Sequence, residues 1–204
     1  MFKKILLILA GIVILLLVIG FILPAKLDIS KSVTIQAPAN AVFEEINNLK
    51  HWEKWQYWNT LDPEMKITYG EKIEGTGANY SWDGPELGQG SITITESIPE
   101  KSIALDLKFT ENSLAKGFYS LEQAGENTTL NFNFSADQGM NPIARWFNVF
   151  MKGEIEKSFD YAGEKIKEIA EAKPVFKYDI SEETVSAISY IGLSHTMSPQ
   201  DPIA

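Results

Sequence analysis

From Ile5 to Leu23 the chain runs nineteen residues without a charged, amide or hydroxyl side chain and without proline. At about 1.5 Å of rise per residue, a helix of that length reaches roughly the 30 Å thickness of a bilayer's hydrocarbon core. A helix that packs on the core of a soluble domain shows a polar face, and this run has none. It reads as a membrane-spanning helix, which leaves the remainder to fold on one side of a membrane. The competing reading is a cleaved export signal, because Lys3 and Lys4 precede the run and Pro24 and Ala25 follow it. Such signals have an apolar stretch of only about 7–15 residues and small residues before the cut, and neither condition is met. Basic residues lie on both flanks, Lys3 and Lys4 before and Lys26 and Lys31 after. The short N-terminal tail favours an N-terminus in the cytoplasm and a body outside a bacterial cytoplasmic membrane.

The residues that follow, about 180 of the 204, are enough for one domain of ordinary size and some leftover chain. The expected division is an anchor over 1–26, a domain over 27–173 and a tail over 174–204. The chain has no cysteine, which removes disulfides, thiolate nucleophiles and cysteine metal sites. A formal charge of −9 argues against a nucleic-acid partner, which needs clustered Lys and Arg, and disfavours docking on anionic lipid.

Lys31–Gln36 alternates Val33 and Ile35 with polar residues, the period of a half-buried strand. Pro38 opens a short helix through Val42, Phe43 and Ile46. The densest aromatic stretch, His51–Trp58, fits neither period. Strands are expected near Met65–Tyr69, Ala78–Trp82, Ser91–Glu96, Ser102–Phe109, Gly117–Gln123 and Thr128–Phe134, with Gly, Pro and Asn turns between them. After Gly139 the period becomes helical, with Ile143, Phe147, Phe150, Met151, Ile155, Phe159, Ala162, Ile166 and Ile169 on one stripe. Gly153 is expected to divide a short helix from a long one that ends near Lys173-Pro174. The order is that of an α+β domain in which a curved antiparallel sheet wraps around one long C-terminal amphipathic helix, leaving a cavity between them.

These residues resemble the SRPBCC superfamily, the START-like helix-grip fold, and within it the polyketide cyclase/dehydrase and lipid-transport branch. The resemblance lies in the opening strand followed by Ala37-Pro38-Ala39-Asn40-Ala41-Val42-Phe43, the Trp52-x-x-Trp55-x-x-Trp58 run, and Gly75-x-Gly77 before Tyr80-x-Trp82. Gly88-x-Gly90, Glu96-x-x-Pro99 and the closing helix continue it, over roughly Leu27 to Ala172. It implies a deep apolar cavity that holds a hydrophobic small molecule or lipid. It does not imply one chemistry, because cyclases, hydrolases, carriers and receptors share the fold.

The aromatic set is the strongest candidate for ligand contact: Tyr80, Trp82, Phe109, Phe118, Phe132, Phe134, Phe147, Phe150 and Met151, a wall with few polar groups. Core packing explains any one of them equally well. Trp52, Trp55 and Trp58 are expected at the cavity rim, where an indole N–H stays wet, or at a membrane interface. Asp83, Glu96, Asp106 and Arg145 are the polar residues that an enzyme of the cyclase, dehydrase or hydrolase sort would use. Each also fits a turn or surface role, and catalysis requires that they face the cavity. His51 and His195 are the only histidines and give no metal-ligand spacing, so neither metal nor other cofactor is expected.

In the tail, Val175–Ile180 and Thr184–Gly192 read as two strands that resemble the opening of a gyrase-inhibitor-like small-molecule-binding domain. A lone hairpin is marginal in water, so the segment is expected to be poorly ordered or docked on the domain. Three functions stand open at this point: a membrane-anchored carrier of an apolar ligand, an enzyme acting in the same cavity, and a stress-response or protein-interaction module with the tail as its contact.

Overall fold

The computed structural model describes residues 2–110 and 113–173. The tail strands and His195 lie outside the described residues. The elements are α1 (Phe2–Ile22), β1 (Lys26–Ile35), α2 (Ala39–Asn47), a 3-10 turn (His51–Lys54), α3 (Trp58–Leu61), β2 (Lys66–Tyr69), β3 (Asn79–Gly84), β4 (Gly88–Ile98), β5 (Ser102–Thr110), β6 (Ser113–Ala124), β7 (Asn127–Asp137) and α4 (Pro142–Glu171). The seven strands form one antiparallel sheet in the order β1-β7-β6-β5-β4-β3-β2. α4 packs across its concave face, the α+β helix-grip arrangement anticipated from the sequence.

The sheet bends where register slips. Thr95 is extra between the Ile94–Leu105 and Glu96–Ala104 pairs of β4 and β5, and a second slip falls between Lys108 and Thr110 on β5. Such bulges raise local twist and curl a sheet around whatever packs on it. Alternation along β7 buries Thr128, Leu130, Phe132 and Phe134 on the inner face, where they meet Phe159, Ala162 and Ile166 of α4 in the core.

α4 is one unbroken helix of thirty residues, so the expected break at Gly153 does not occur. A glycine in a helix interior costs only about 1 kcal/mol relative to alanine, and the turns on both sides are held by packing that outweighs it. Asn141 caps the start, its side-chain oxygen accepting the N–H groups of Ile143 and Ala144, with Pro142 in the first turn.

α4 runs parallel to β1, and four contacts set the register. Asn148 donates to the Ala25 carbonyl (3.0 Å), Lys31 pairs with Asp160 (2.9 Å), Lys167 donates to the Thr34 carbonyl (2.9 Å), and the Gln36 N–H donates to Glu171 (2.8 Å). From Asn148 to Glu171 the helix rises about 35 Å and from Ala25 to Gln36 the strand rises about 36 Å, so the two match in length. Residues 142–147 consequently lie beyond the start of β1. There they meet α1, which stops three residues short of β1. The strand is longer than the Lys31–Gln36 segment read from alternation, because pairing with β7 extends it back to Lys26.

Candidate functional site

The aromatic stretch after α2 does a specific structural job. The last carbonyls of a helix have no partners within it. Trp52 donates its indole N–H to the Ile46 carbonyl (3.0 Å) and Trp55 donates to the Glu45 carbonyl (3.3 Å), so two indoles close the end of α2. A 3-10 turn has three residues per turn and places positions i and i+3 on one side. That geometry brings the two rings to 4.7 Å between centroids. Trp52 and Trp55 are 3% and 2% exposed, which corrects the expectation of a wet rim: their polar ends are used by the backbone, not by water. Trp58, at the start of α3, is half-buried.

Behind them lies a cavity of about 350 Å³ between sheet and α4. Trp52, Trp55, Gln56 and Trp58 wall one side. Tyr80, Ile92, Leu107, Gly117, Tyr119 and Phe134 lie on the sheet, and Phe147, Met151, Ile155, Phe159 and Ala162 on α4. Met65, Trp82, Glu86, Leu87, Phe109, Asn133 and Ser158 complete the lining. The lining is buried around Trp52, Tyr80, Tyr119 and Phe159, becomes partly exposed toward Trp82, Leu87 and Phe109, and is most open at Phe147, 39% exposed. The opening is therefore at the end of the sheet where the β3–β4 turn, the Phe109 end of β5 and the start of α4 meet. Rings follow one another around it at centroid distances of 6.2 Å from Tyr80 to Trp82, 5.9 Å to Phe109 and 6.0 Å to Phe147. Asp62 fixes the β3–β4 turn, its Oδ2 accepting the N–H groups of Glu86 and Leu87, each at 3.0 Å.

The polar groups of the interior are few. Gln56 donates its amide to the Tyr80 hydroxyl (2.7 Å), and its buried Oε1 has no partner among the described residues. Burial holds the Tyr80 and Tyr119 phenols well above their ordinary range, so both remain neutral hydroxyls at physiological pH. They can donate or accept a hydrogen bond.

Of the nine residues expected to touch a ligand, Tyr80, Trp82, Phe109, Phe134, Phe147 and Met151 line the cavity. Phe132 lies under it, stacked on Phe159 at 5.1 Å. Phe118 is 44% exposed on the outer face of β6, because Ala115, Gly117, Tyr119 and Leu121 take the inward positions of that strand. Phe150 is 71% exposed on the outward side of α4, its ring stacked on Trp146. Tyr119 shares its parity with the apolar Ala115 and Leu121, but Leu114 and Phe118 give the opposite face an equal claim, so the strand pattern does not single it out. Gln56, the polar residue between two tryptophans, carried no signal of its own.

The four polar candidates do not line the cavity. Asp83 and Glu96 are exposed on their strands, and Asp106 stands opposite Lys116 in the β5–β6 pair. Arg145 is turned toward α1. Glu86 is the carboxylate in the lining and is exposed at its edge. His51 Nδ1 lies 3.4 Å from the buried Glu45 carboxylate, away from the cavity. Among the described residues no group of His, Asp and Glu is arranged to hold a metal ion.

A curved sheet gripping one long helix, with an apolar cavity between them, defines a helix-grip domain of the hydrophobic-ligand-binding or cyclase type. The chain belongs to the polyketide cyclase/dehydrase and lipid-transport family, whose model matches residues 26–171. Solved structures share the fold at low identity. Protein CV1439 of Chromobacterium violaceum is 11% identical, with a TM-score of 0.53 over 74% of this chain and all of its own. Bacillus halodurans protein BH1534 is 16% identical, with a TM-score of 0.53 over 72% of this chain and 99% of its own. KanY is 16% identical, with a TM-score of 0.55 over 73% of this chain and all of its own. No curated protein matches the sequence significantly.

Proposed function

We propose that the protein is a membrane-anchored binding or carrier protein that takes a hydrophobic small molecule or a lipid chain into the cavity between sheet and α4. The observation that carries this is the lining: mostly aromatic and aliphatic side chains, with Gln56, Tyr80, Tyr119, Asn133 and Ser158 as a small polar set and Glu86 at the exposed edge. An apolar wall with a few placed polar groups is the usual construction of a small-molecule site. The volume falls at the lower end of the roughly 300–1,000 Å³ such sites occupy, which suits one chain or ring system and not a whole two-tailed lipid.

The anchor is α1, twenty-one residues long and apolar enough to cross a membrane. Gly20 packs directly on Pro142, and Arg145 and Trp146 hydrogen-bond to α1 carbonyls, contacts that favour retention of the helix over its removal as a signal. With the N-terminus in the cytoplasm, residues 27–173 form the ligand-binding domain outside it.

Native mass spectrometry of the full-length protein, with solvent extraction of what it carries, tests the proposal. The expected result is an apolar molecule bound to the native chain and lost from Ala162→Trp, which fills the cavity from α4. An empty cavity across preparations from membranes, with no uptake of added fatty or isoprenoid alcohols, overturns it.

A further inference from the structure

The start of α4 differs in composition from the rest of the helix. Residues 142–151 carry one charge, Arg145, whereas residues 152–171 carry ten. The apolar half is largely open: Met140 is 76% exposed, Ile143 70%, Val149 48% and Phe150 71%, with Phe147 39% exposed at the cavity opening. Single exposed apolar residues are ordinary on a soluble surface, but a contiguous set of this kind marks a place where something apolar sits.

What sits there is indicated by α1. The Trp146 indole donates to the Leu16 carbonyl (3.0 Å). A side chain placed at Gly20 would come within 2.5 Å of the Pro142 carbonyl oxygen. The first turns of α4 are thus packed on the last two turns of α1, beyond the start of β1. Arg145 needs no water in this position. Its Nη1 donates to the carbonyls of Phe21 (2.7 Å) and Leu23 (3.1 Å), and its Nε and Nη2 both donate to Gly139, at 2.9 and 2.6 Å. A cation on the terminal carbonyls of a helix is also favoured by the helix dipole.

We propose that the first turns of α4, through Ile143, Trp146 and Phe150, are seated in the same lipid leaflet as the C-terminal end of α1, so that the cavity opens onto lipid and not onto water. The proposal rests on the anchoring of α1 proposed above. The occupant is the acyl and glycerol region of the bilayer, because the apolar face is continuous with the helix that crosses it and carries Trp146, whose amphipathic ring suits that depth. A ligand then passes between membrane and cavity beside Phe147 without crossing water.

The chain has no cysteine, so single cysteines report position cleanly. The full chain is reconstituted in phosphatidylcholine nanodiscs with an environment-sensitive fluorophore at Leu9→Cys, Ile143→Cys, Phe150→Cys or, as the aqueous reference on the outer face, Lys116→Cys. Ile143 and Phe150 are surface positions, so labelling leaves the core intact, and an unchanged melting temperature checks each variant. Expected are blue-shifted emission at Leu9, Ile143 and Phe150, quenching by lipid-borne nitroxide, and protection from aqueous iodide, with the reverse at Lys116. If Leu9 is in lipid while Ile143 and Phe150 are open to iodide, the leaflet proposal fails and the anchor stands. If Leu9 is also open to iodide, the anchor fails and the leaflet proposal with it. Efficient disulfide capture between Ile143→Cys copies, with no lipid quenching, would place a second copy on the face and likewise overturn the proposal.

Discussion

Asp62 is buried beneath the β3–β4 turn, and its two hydrogen bonds from Glu86 and Leu87 hold that turn at the cavity opening. Replacing it by alanine removes the acceptor of two part-buried backbone N–H groups, a loss of about 1 kcal/mol per hydrogen bond. Asp62→Ala is therefore expected to lower the melting temperature by several degrees and to loosen the turn, measured by hydrogen exchange at Glu86 and Leu87. Gly90 is a second sensitive position. A Cβ there would fall 2.1 Å from the Trp82 ring and 2.6 Å from the Lys108 carbonyl oxygen. Gly90→Ala must push Trp82 out of the lining, so near-ultraviolet circular dichroism should change and ligand retention should drop, while an unaltered spectrum would refute this. At this scale the sequence misled most where two aromatics are adjacent. Phe118 and Tyr119 are equal by composition, and which one faces the cavity depends on register with β5 and β7.

At the scale of elements, α4 is the part whose length the sequence underestimated. Gly153 is exposed and has no atom near the position a Cβ would take. Gly153→Ala should stabilise the protein by about 1 kcal/mol in urea unfolding, as an interior helix position allows. Destabilisation would mean that the helix needs a flexible point there. The far end of α4 is clasped to α2 and β1 by charge. Lys173 lies 2.8 Å from Glu44 and 2.7 Å from the buried Glu45. The hydrogen bond from Lys173 holds the Glu44 carboxyl below its ordinary value near 4.5, and Lys167 with the Gln36 N–H does the same for Glu171. A carboxyl lowered on folding contributes stability above its unfolded value and loses it as pH falls through the lower folded value. Melting temperature should accordingly decline as pH drops below about 4.5, and Glu44→Gln should flatten part of that slope. The Glu44 side chain is 61% exposed, so its share is at most about 1 kcal/mol and shrinks with salt.

At the scale of the whole molecule, α1 and the domain are joined by a connection of three residues and by the packing of Gly20 on Pro142. Gly20→Val places two methyl groups against that backbone and should separate the helices without touching the cavity. The expected result is a red shift in the Trp146 contribution to emission, identified by comparison with Trp146→Phe, and retained ligand binding in detergent. Loss of binding would mean that α1 contributes to the cavity itself.

The sequence by itself determined what local pattern can specify: an apolar run long enough to cross a membrane, alternating strands in order, a closing amphipathic helix, and through these the α+β family. Period and composition are properties of neighbouring residues, and they survive in any chain that buries one face of each element. Only the tertiary structure decided which side of β6 faces inward, that Trp52 and Trp55 spend their N–H groups on the end of α2, and that Arg145 serves α1 and not the cavity. These depend on partners distant along the chain, as Arg145 and Leu23 are at 122 residues apart, and no local pattern records such a pairing.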